Sequence, residues 1–354
     1  MLNRRRAQVI GMGLIGGSLA MALRRLGWTV SGFDHDPDCG ARALELGAID
    51  GVGFDERADL TFVATPVRAI APAVLEALSR TSGVVSDVGS VKWPVVQAVD
   101  SARFVGGHPM AGSERTGVDG ADPDLFRNAV WVLTPTETTD PETFTTVRSV
   151  VASLGAESVS MPAEEHDRMV AVVSHVPHLT AATLMTLADR RSSDHRALLR
   201  LAAGGFRDMT RIASGHPGIW PDICSENRTA ILDALDGLLE SLSAVREIVA
   251  DERRDDLVAL LGRAREARTN LPARYGRPAQ LVEVLVPVHD RPGALADVTN
   301  IASKLDVNIL DLEIRHSAEG PQGVMHLVVE QQRAADYRAA LAESGFATSQ
   351  QTLV

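Results

Sequence analysis

The chain has 354 residues, more than one ordinary hydrophobic core organises, and its 45% apolar and 23% charged content is that of a globular protein, not a disordered one. A formal net charge of −11 argues against nucleic acid as the main partner, and the only two cysteines, Cys39 and Cys224, leave no disulfide framework or thiolate zinc motif and fit a reducing cytoplasm. No uninterrupted apolar run approaches the ~18 residues of a membrane span, so no membrane partner is expected and a cytoplasmic location is.

At the N-terminus, Arg4, Arg5 and Arg6 followed by AQVIGMGLIGGSLAMAL have the charged start and apolar middle of a secretory signal. A second division fits better: AQVIG as a short buried strand, GMGLIGG as a turn, SLAMALRRLG as a helix closed by glycine, and TVSGFD as a second strand. The turn is then Gly11-x-Gly13-x-x-Gly16. Gly11 permits the tight bend, Gly13 lets a pyrophosphate approach the backbone, and Gly16 lets helix and strand pack closely. The helix N-terminus, with Leu14 and Ile15, faces the phosphates with free N–H groups. Asp34, 23 residues after Gly11, ends the second strand, where a carboxylate accepts from the ribose 2′-hydroxyl and repels a 2′-phosphate. NAD is therefore the expected cofactor. The plainer reading of Asp34 is a solvated strand-end carboxylate.

Alternation continues through LTFVAT (60–65), a helix from Val67, GVVSDV (83–88), a helix from Val91, and RFVGG (103–107). This is the pattern of a doubly wound α/β sheet over 1–161, in which ligands bind at the carboxyl ends of the strands. Thr65, Pro66, the segment Asp87 to Lys92, and His108 all fall at such ends. His108 stands before Pro109 in GGHPMAGSERTG (106–117), which reads as a loop. From 162 to 272 the period is helical, as in RTAILDALDGLLESLSAVREIVADE, and a helix as apolar as 229–250 is expected to pack against another subunit. NLPARYGRPAQ (270–280) reads as a linker, and 280–354 follows a βαββα(β) order, a small α+β module with a helix entered through Pro-Gly. His175 and His178 stand at i, i+3, but no carboxylate or third histidine joins them at a recognised spacing, so no metal is expected. His166-Asp167 occurs in metal phosphohydrolases, but the dipeptide is common by chance.

GMGLIGGS, Asp87-Val-Gly-Ser-Val-Lys92, HPMAGSE (108–114), SHVPH (174–178) and GGFRDMTRIASGHPGIWPDICSEN (204–227) together resemble the prephenate and arogenate dehydrogenases of tyrosine biosynthesis, and the terminal module resembles an ACT domain. The resemblance implies a homodimeric enzyme of three parts: a Rossmann domain, a helical substrate and dimerisation domain, and a regulatory module. Its reaction is the NAD-dependent oxidative decarboxylation of prephenate to 4-hydroxyphenylpyruvate, or of arogenate to tyrosine. Such chemistry needs a base for the C4 hydroxyl and cations for two carboxylates. On the family's motifs His108 is the base and Ser90 aligns hydroxyl and base, although a serine there also reads as a helix N-cap. Arg211 pairs with the ring carboxylate, His178 meets the pyruvyl end, His166 is a second pocket histidine, and Glu114 serves gating or substrate contact. Arg207 reads as a surface charge. In the last module, Arg291, Pro292, Gly293, Ala294, Leu295 and Asn308 are the expected contacts for an amino-acid effector, most simply tyrosine.

Two rival functions are weighed. A 3-hydroxy acid dehydrogenase of similar architecture usually takes a catalytic lysine from its helical domain, and the only lysines here are Lys92 and Lys304. A non-catalytic NAD sensor needs the nucleotide glycines but not His108, Ser90, Arg211 and His178 together.

Overall fold

The computed structural model describes residues 5–113, 115–192, 198–269, 281–289, 291–316 and 322–352. The chain divides into two units, Met1–Ala244 and Val245–Val354. In the first, strands β1 (Arg6–Ile10), β2 (Thr29–Phe33), β3 (Gly51–Val52), β4 (Leu60–Val63), β5 (Val84–Asp87), β6 (Phe104–Pro109), β7 (Val130–Thr134) and β8 (Glu157–Ser160) form one sheet in the order β3-β2-β1-β4-β5-β6-β7-β8. Every pairing is parallel except β6 with β7. The order reverses between β1 and β4, which opens the crevice where such sheets bind nucleotides.

Helices cover both faces. α1 (Leu14–Arg25), α2 (Pro37–Glu45) and α5 (Pro141–Ser153) pack in one core with Leu19, Leu23, Phe62, Phe126 and Trp131, while α3 (Val67–Arg80) and α4 (Trp93–Ala98) pack in another with Ile70, Val74, Val85 and Phe104. β4 is buried on both sides and carries no alternation, as a central parallel strand requires. Phe62, fully buried, stabilises the fold by roughly 1.5–3 kcal/mol.

Two sequence expectations need correction. His108 is not in a loop: β6 continues through Pro109, and His108 pairs with Val132 of β7. The glycines and proline hide the strand, yet the glycines are needed, because a Cβ on Gly107 would press on the Asp87 carbonyl oxygen at 2.6 Å. Likewise, a helical run of 29 residues, Ala163–Arg191, is long and apolar enough to cross a membrane by length and composition, although polar residues interrupt its apolar sequence. Its His166, Asp167 and His175 are buried and hydrogen-bonded within the protein, and Met169, Val172 and Val173 are exposed, a patch of the kind that a protein contact covers.

That run comprises α6 (Ala163–Val170), a π turn (Ala171–His175) and α7 (Val176–Ser192). The rest of the unit is short: α8 (Gly204–Thr210), a 3₁₀ turn (Arg211–Ser214), α9 (Trp220–Glu226) and the start of α10 (Arg228–Ala250). In the second unit α10 ends, α11 (Arg254–Thr269) follows, and an antiparallel four-stranded sheet forms from β9 (Leu281–His289), β10 (Ile309–His316), β11 (Gln322–Glu330) and β12 (Ser349–Thr352) in the order β10-β11-β9-β12. α12 (Ala294–Lys304) and α13 (Gln331–Glu343) share a core with Val282, Val284, Val286 and Val288, the alternate residues of β9. The linker expected at 270–280 lies outside the described residues.

Candidate active site

The glycine turn follows β1 and opens α1. Gly11 adopts φ 96°, and a Cβ there would crowd the Ala64 backbone, while one on Gly16 would overlap the carbonyl oxygen of Gly11. At Gly13 a Cβ would meet nothing within 4 Å. Gly11 and Gly16 are thus fixed by the protein's own packing, whereas Gly13 borders open space that a ligand can enter. Gly13 caps α1 without a side-chain hydrogen bond and the first turn has no acidic residue, so the leading N–H groups at Leu14 and Ile15 are presented to an anion. Asp34 ends β2; its Oδ2 accepts from Met12 N at 2.7 Å and its Oδ1 from Asp36 N at 3.0 Å, which ties the carboxylate to the turn. His35, almost fully exposed, stands 3.0 Å from the same carboxylate. Thr65 and Pro66 follow β4, and the Thr65 hydroxyl is buried with no partner among the described residues. An orphaned hydroxyl, an open glycine and a free helix N-terminus together fit a dinucleotide.

At the ends of β5 and β6, Lys92 is fully buried, bonded to Asp87 and donating to the Gly107 carbonyl at 2.8 Å. Ser90 lies between Asp87 and Lys92, half-buried. It does not cap α4: Lys92 occupies that position, and the backbone N–H groups of Lys92 and Trp93 donate instead to Asp167 Oδ1 and Oδ2, both at 2.8 Å. Ser90 therefore keeps its hydroxyl for another use.

His108, half-buried, places Nδ1 2.8 Å from His166 Nε2, and His166 places Nδ1 2.7 Å from Asp167 Oδ1. His166 is 1% exposed with both ring nitrogens engaged, and its ring meets that of His108 edge-on. Burial holds His108 well below the usual imidazole range, and His166, Lys92 and His175 add to the effect. At neutral pH it is an uncharged base. His175 faces Asn227 Nδ2 through Nδ1 at 3.2 Å and is pushed down to about 4, chiefly by burial. Asn227 Nδ2 also donates to the Asp167 carbonyl at 2.8 Å. The sequence assigns no role to Asp167 or Asn227; the His166-Asp167 dipeptide and the end of the 204–227 motif are the available signals.

The π turn explains how residues nine and twelve apart converge. In an uninterrupted α-helix, nine residues set His166 and His175 on roughly opposite faces. A π turn advances less per residue, and five such residues retard the rotation by about a quarter turn, which brings His178 round to roughly the face of His166. Pro177 lacks the N–H that would close an ordinary turn there. His178 stacks on Trp220 with ring centroids 3.7 Å apart, His175 meets the same indole edge-on, and burial lowers His178. Arg211, exposed, opens the 3₁₀ turn that packs against α7, and Gly215 lies next to His178. Arg207 is also exposed and donates to the Ala202 carbonyl at 3.1 Å, as a surface residue does. Glu114 lies outside the described residues.

The family model described as prephenate dehydrogenase, nucleotide-binding domain, matches residues 19–160, and that described as prephenate dehydrogenase, dimerization domain, matches 162–263. The chain is 35% identical to a prephenate dehydrogenase of Bacillus subtilis over 335 residues, 90% of each chain. It is 33% identical to a cyclohexadienyl dehydrogenase of Zymomonas mobilis over 74% of this chain and 94% of the relative. Among solved structures, prephenate dehydrogenase from Aquifex aeolicus in complex with hydroxyphenyl propionate and NAD+ superposes with a TM-score of 0.71 at 32% identity, covering 76% of this chain and 99% of that one. Synechocystis arogenate dehydrogenase superposes at 0.65 with 33% identity, over 74% and 98%.

Proposed function

The chain belongs to the prephenate dehydrogenase family and is an NAD-dependent dehydrogenase, and we propose that prephenate is preferred over arogenate. The observation that carries the chemistry is His108, uncharged, emerging from β6 at the crevice with one ring nitrogen committed to His166 and the other without a hydrogen-bond partner among the described residues. When bound, NAD+ supplies the hydride acceptor. Gly11, Gly13, Leu14, Ile15 and Gly16 would hold its pyrophosphate, Asp34 its ribose, and Thr65 and Pro66 line the same strand ends. His108 accepts the C4 hydroxyl proton, and Ser90, free of capping duty, aligns that hydroxyl. Oxidation at C4 creates a ketone in vinylogous relation to the ring carboxylate, and carbon dioxide leaves as the ring becomes aromatic. Arg211 receives the ring carboxylate through its planar fork, and His178, held flat on Trp220, meets the pyruvyl end. Glu114 is assigned to gating or substrate contact by motif alone.

Homodimerisation is supported by the exposed Leu232, Leu239, Leu242 and Val249 of α10, an apolar stripe on a helix within the segment that matches a dimerization-domain model. The βαββαβ order of residues 281–352 supports an ACT-like regulatory module, and tyrosine is its proposed effector. A cytoplasmic site of action is proposed from the cysteine content. Initial rates of NAD+ reduction with prephenate and with arogenate test the reading. A kcat/KM for prephenate at least roughly tenfold above that for arogenate is expected, about 1.4 kcal/mol of discrimination, and the reverse order overturns the preference.

A further inference from the structure

We propose that the proton taken from the substrate hydroxyl does not remain on His108 but passes to His166, which Asp167 neutralises, so that the base is a two-histidine relay. The inference rests on oxidation of a C4 hydroxyl as described above. Its starting point is the polarity of the chain of hydrogen bonds. A carboxylate only accepts, so the 2.7 Å contact with Asp167 Oδ1 puts the hydrogen of His166 on Nδ1. His166 Nε2 then carries a lone pair, and the 2.8 Å contact with it requires His108 Nδ1 to be the donor. Among the described residues, the one lone pair of the two rings left without a partner is that of His108 Nε2.

The surroundings order the two rings. His108 has Lys92 behind it, bonded to Asp87 and to the carbonyl of the residue preceding His108, and His175 nearby. Among the described residues, no carboxylate is hydrogen-bonded to the His108 ring. His166 is 1% exposed, yet it has Asp167 at hydrogen-bond distance, and that carboxylate is fixed by the N–H groups of Lys92 and Trp93. Asn227 holds the backbone carbonyl of Asp167 and the ring of His175. A positive charge created at this end of the site is therefore stable on the inner ring and poorly supported on the outer one.

The hydroxyl O–H bond breaks as its proton bonds to His108 Nε2, while the His108 Nδ1–H bond breaks and its proton bonds to His166 Nε2. The C4 hydrogen leaves with its electron pair to the bound dinucleotide, and the C4–O bond becomes a carbonyl. Reversal of the two proton transfers, outward through His108 to solvent, resets the pair. His166 and Asp167 are positioning and relay residues; His108 alone of the three touches substrate.

Two measurements decide between a relay and a lone base. In the full-length protein saturated with NAD+, with ¹⁵N-labelled histidine, acidification should protonate His166 Nε2 before His108; protonation of His108 first overturns the relay. In His166→Gln, whose amide oxygen still accepts from His108 Nδ1–H but cannot hold a proton, kcat should fall roughly tenfold or more with KM within about twofold. The acid limb of kcat/KM should also move to lower pH, because a lone His108 is the weaker base. An unmoved limb overturns the relay whatever kcat does. Failure of the native chain to oxidise prephenate would instead count against the substrate assignment, leaving the order of protonation to be read by NMR.

Discussion

Lys92 is bonded to Asp87 with neither side chain exposed to solvent, and the same ammonium donates to the carbonyl of Gly107, the residue before His108. The pair is well satisfied: Asp87 also accepts from the N–H groups of Gly89 at 2.9 Å and Gly107 at 3.2 Å. It fixes the end of β6 where His108 emerges, and it sets a cation behind that imidazole. Burial lowers Lys92 below the usual ammonium range, against the opposing pull of Asp87.

Replacing this lysine tests both roles. Lys92→Met keeps most of the volume but leaves Asp87 buried without its counter-charge, which should cost about 3–5 kcal/mol in urea unfolding. In protein that still folds, His108 loses a neighbouring cation and its pKa rises toward the ordinary imidazole range, so the acid limb of kcat/KM should move to higher pH. An unchanged denaturation midpoint would show that the pair contributes nothing to the fold.

The glycine turn separates packing from ligand binding. Gly16→Ala drives a methyl group into the Gly11 carbonyl oxygen, which should cost roughly 1–3 kcal/mol even without nucleotide. Gly13→Ala adds a methyl group to open space at φ −80°, so thermal stability without nucleotide should be unchanged or slightly higher. Its affinity for NAD+ should nonetheless drop at least roughly tenfold by titration, about 1.4 kcal/mol. Native affinity in Gly13→Ala would mean that the pyrophosphate does not cross that glycine.

Much of this arrangement is legible in the sequence because each signal is local. The glycine spacing, the aspartate closing β2 and the Pro-Gly entry to α12 are short patterns with one physical reason each. The sequence marks His108 as a candidate base yet suggests a loop around it, since Gly106, Gly107 and Pro109 erase strand propensity, and the demand for the glycines comes from the Thr134 hydroxyl packed against Gly106 and from the Asp87 carbonyl and the Trp131 indole packed against Gly107. The place of His166 is harder to read, because the π turn changes which residues share a face and no periodicity announces it. Asp167 and Asn227 act through contacts distant in sequence, Asp167 with Lys92 across 75 residues and with Asn227 across 60, and those exist only once the chain is folded.

The buried histidines make stability depend on pH. His175 is pushed down to about 4 by burial, with His166 adding and Asp167 opposing, whereas in the unfolded chain it titrates near 6.5. As pH falls below 6.5 the unfolded state takes a proton that the native state refuses until about 4, so stability is complete above 6.5 and is lost across that window. The loss should reach ~3 kcal/mol, at about 1.4 kcal/mol per pKa unit. His108, also held below its ordinary value, acts in the same direction. Urea midpoints measured from pH 7 to pH 4 should fall, and His175→Gln should flatten the curve; an equally steep curve in the variant removes His175 from the cause.

The last module should make the enzyme answer to an amino acid. β9 leads towards Gly293, whose left-handed φ of 89° turns the chain into α12, and the N–H of Asp297 already bonds the Gly293 carbonyl at 2.8 Å. The N–H groups of Leu295 and Ala296 remain at the helix mouth, where an amino-acid carboxylate can be received. Arg291 crosses that mouth to Asp297 at 2.7 Å, an exposed ion pair that a ligand carboxylate would compete for, and Asn308 stands exposed just before β10. For inhibition, tyrosine must bind a less active state more tightly, and a coupling of about 1–3 kcal/mol gives roughly a 5- to 150-fold effect. Initial rates of the full chain should therefore fall with tyrosine, more than with phenylalanine or tryptophan, and Asn308→Ala should weaken the response without altering kcat in its absence. A chain ending near Pro278 should lose the response while keeping turnover. If tyrosine inhibits that shortened enzyme equally well, by competing with prephenate, or if no amino acid binds the full chain at millimolar concentration, the module does not regulate this site.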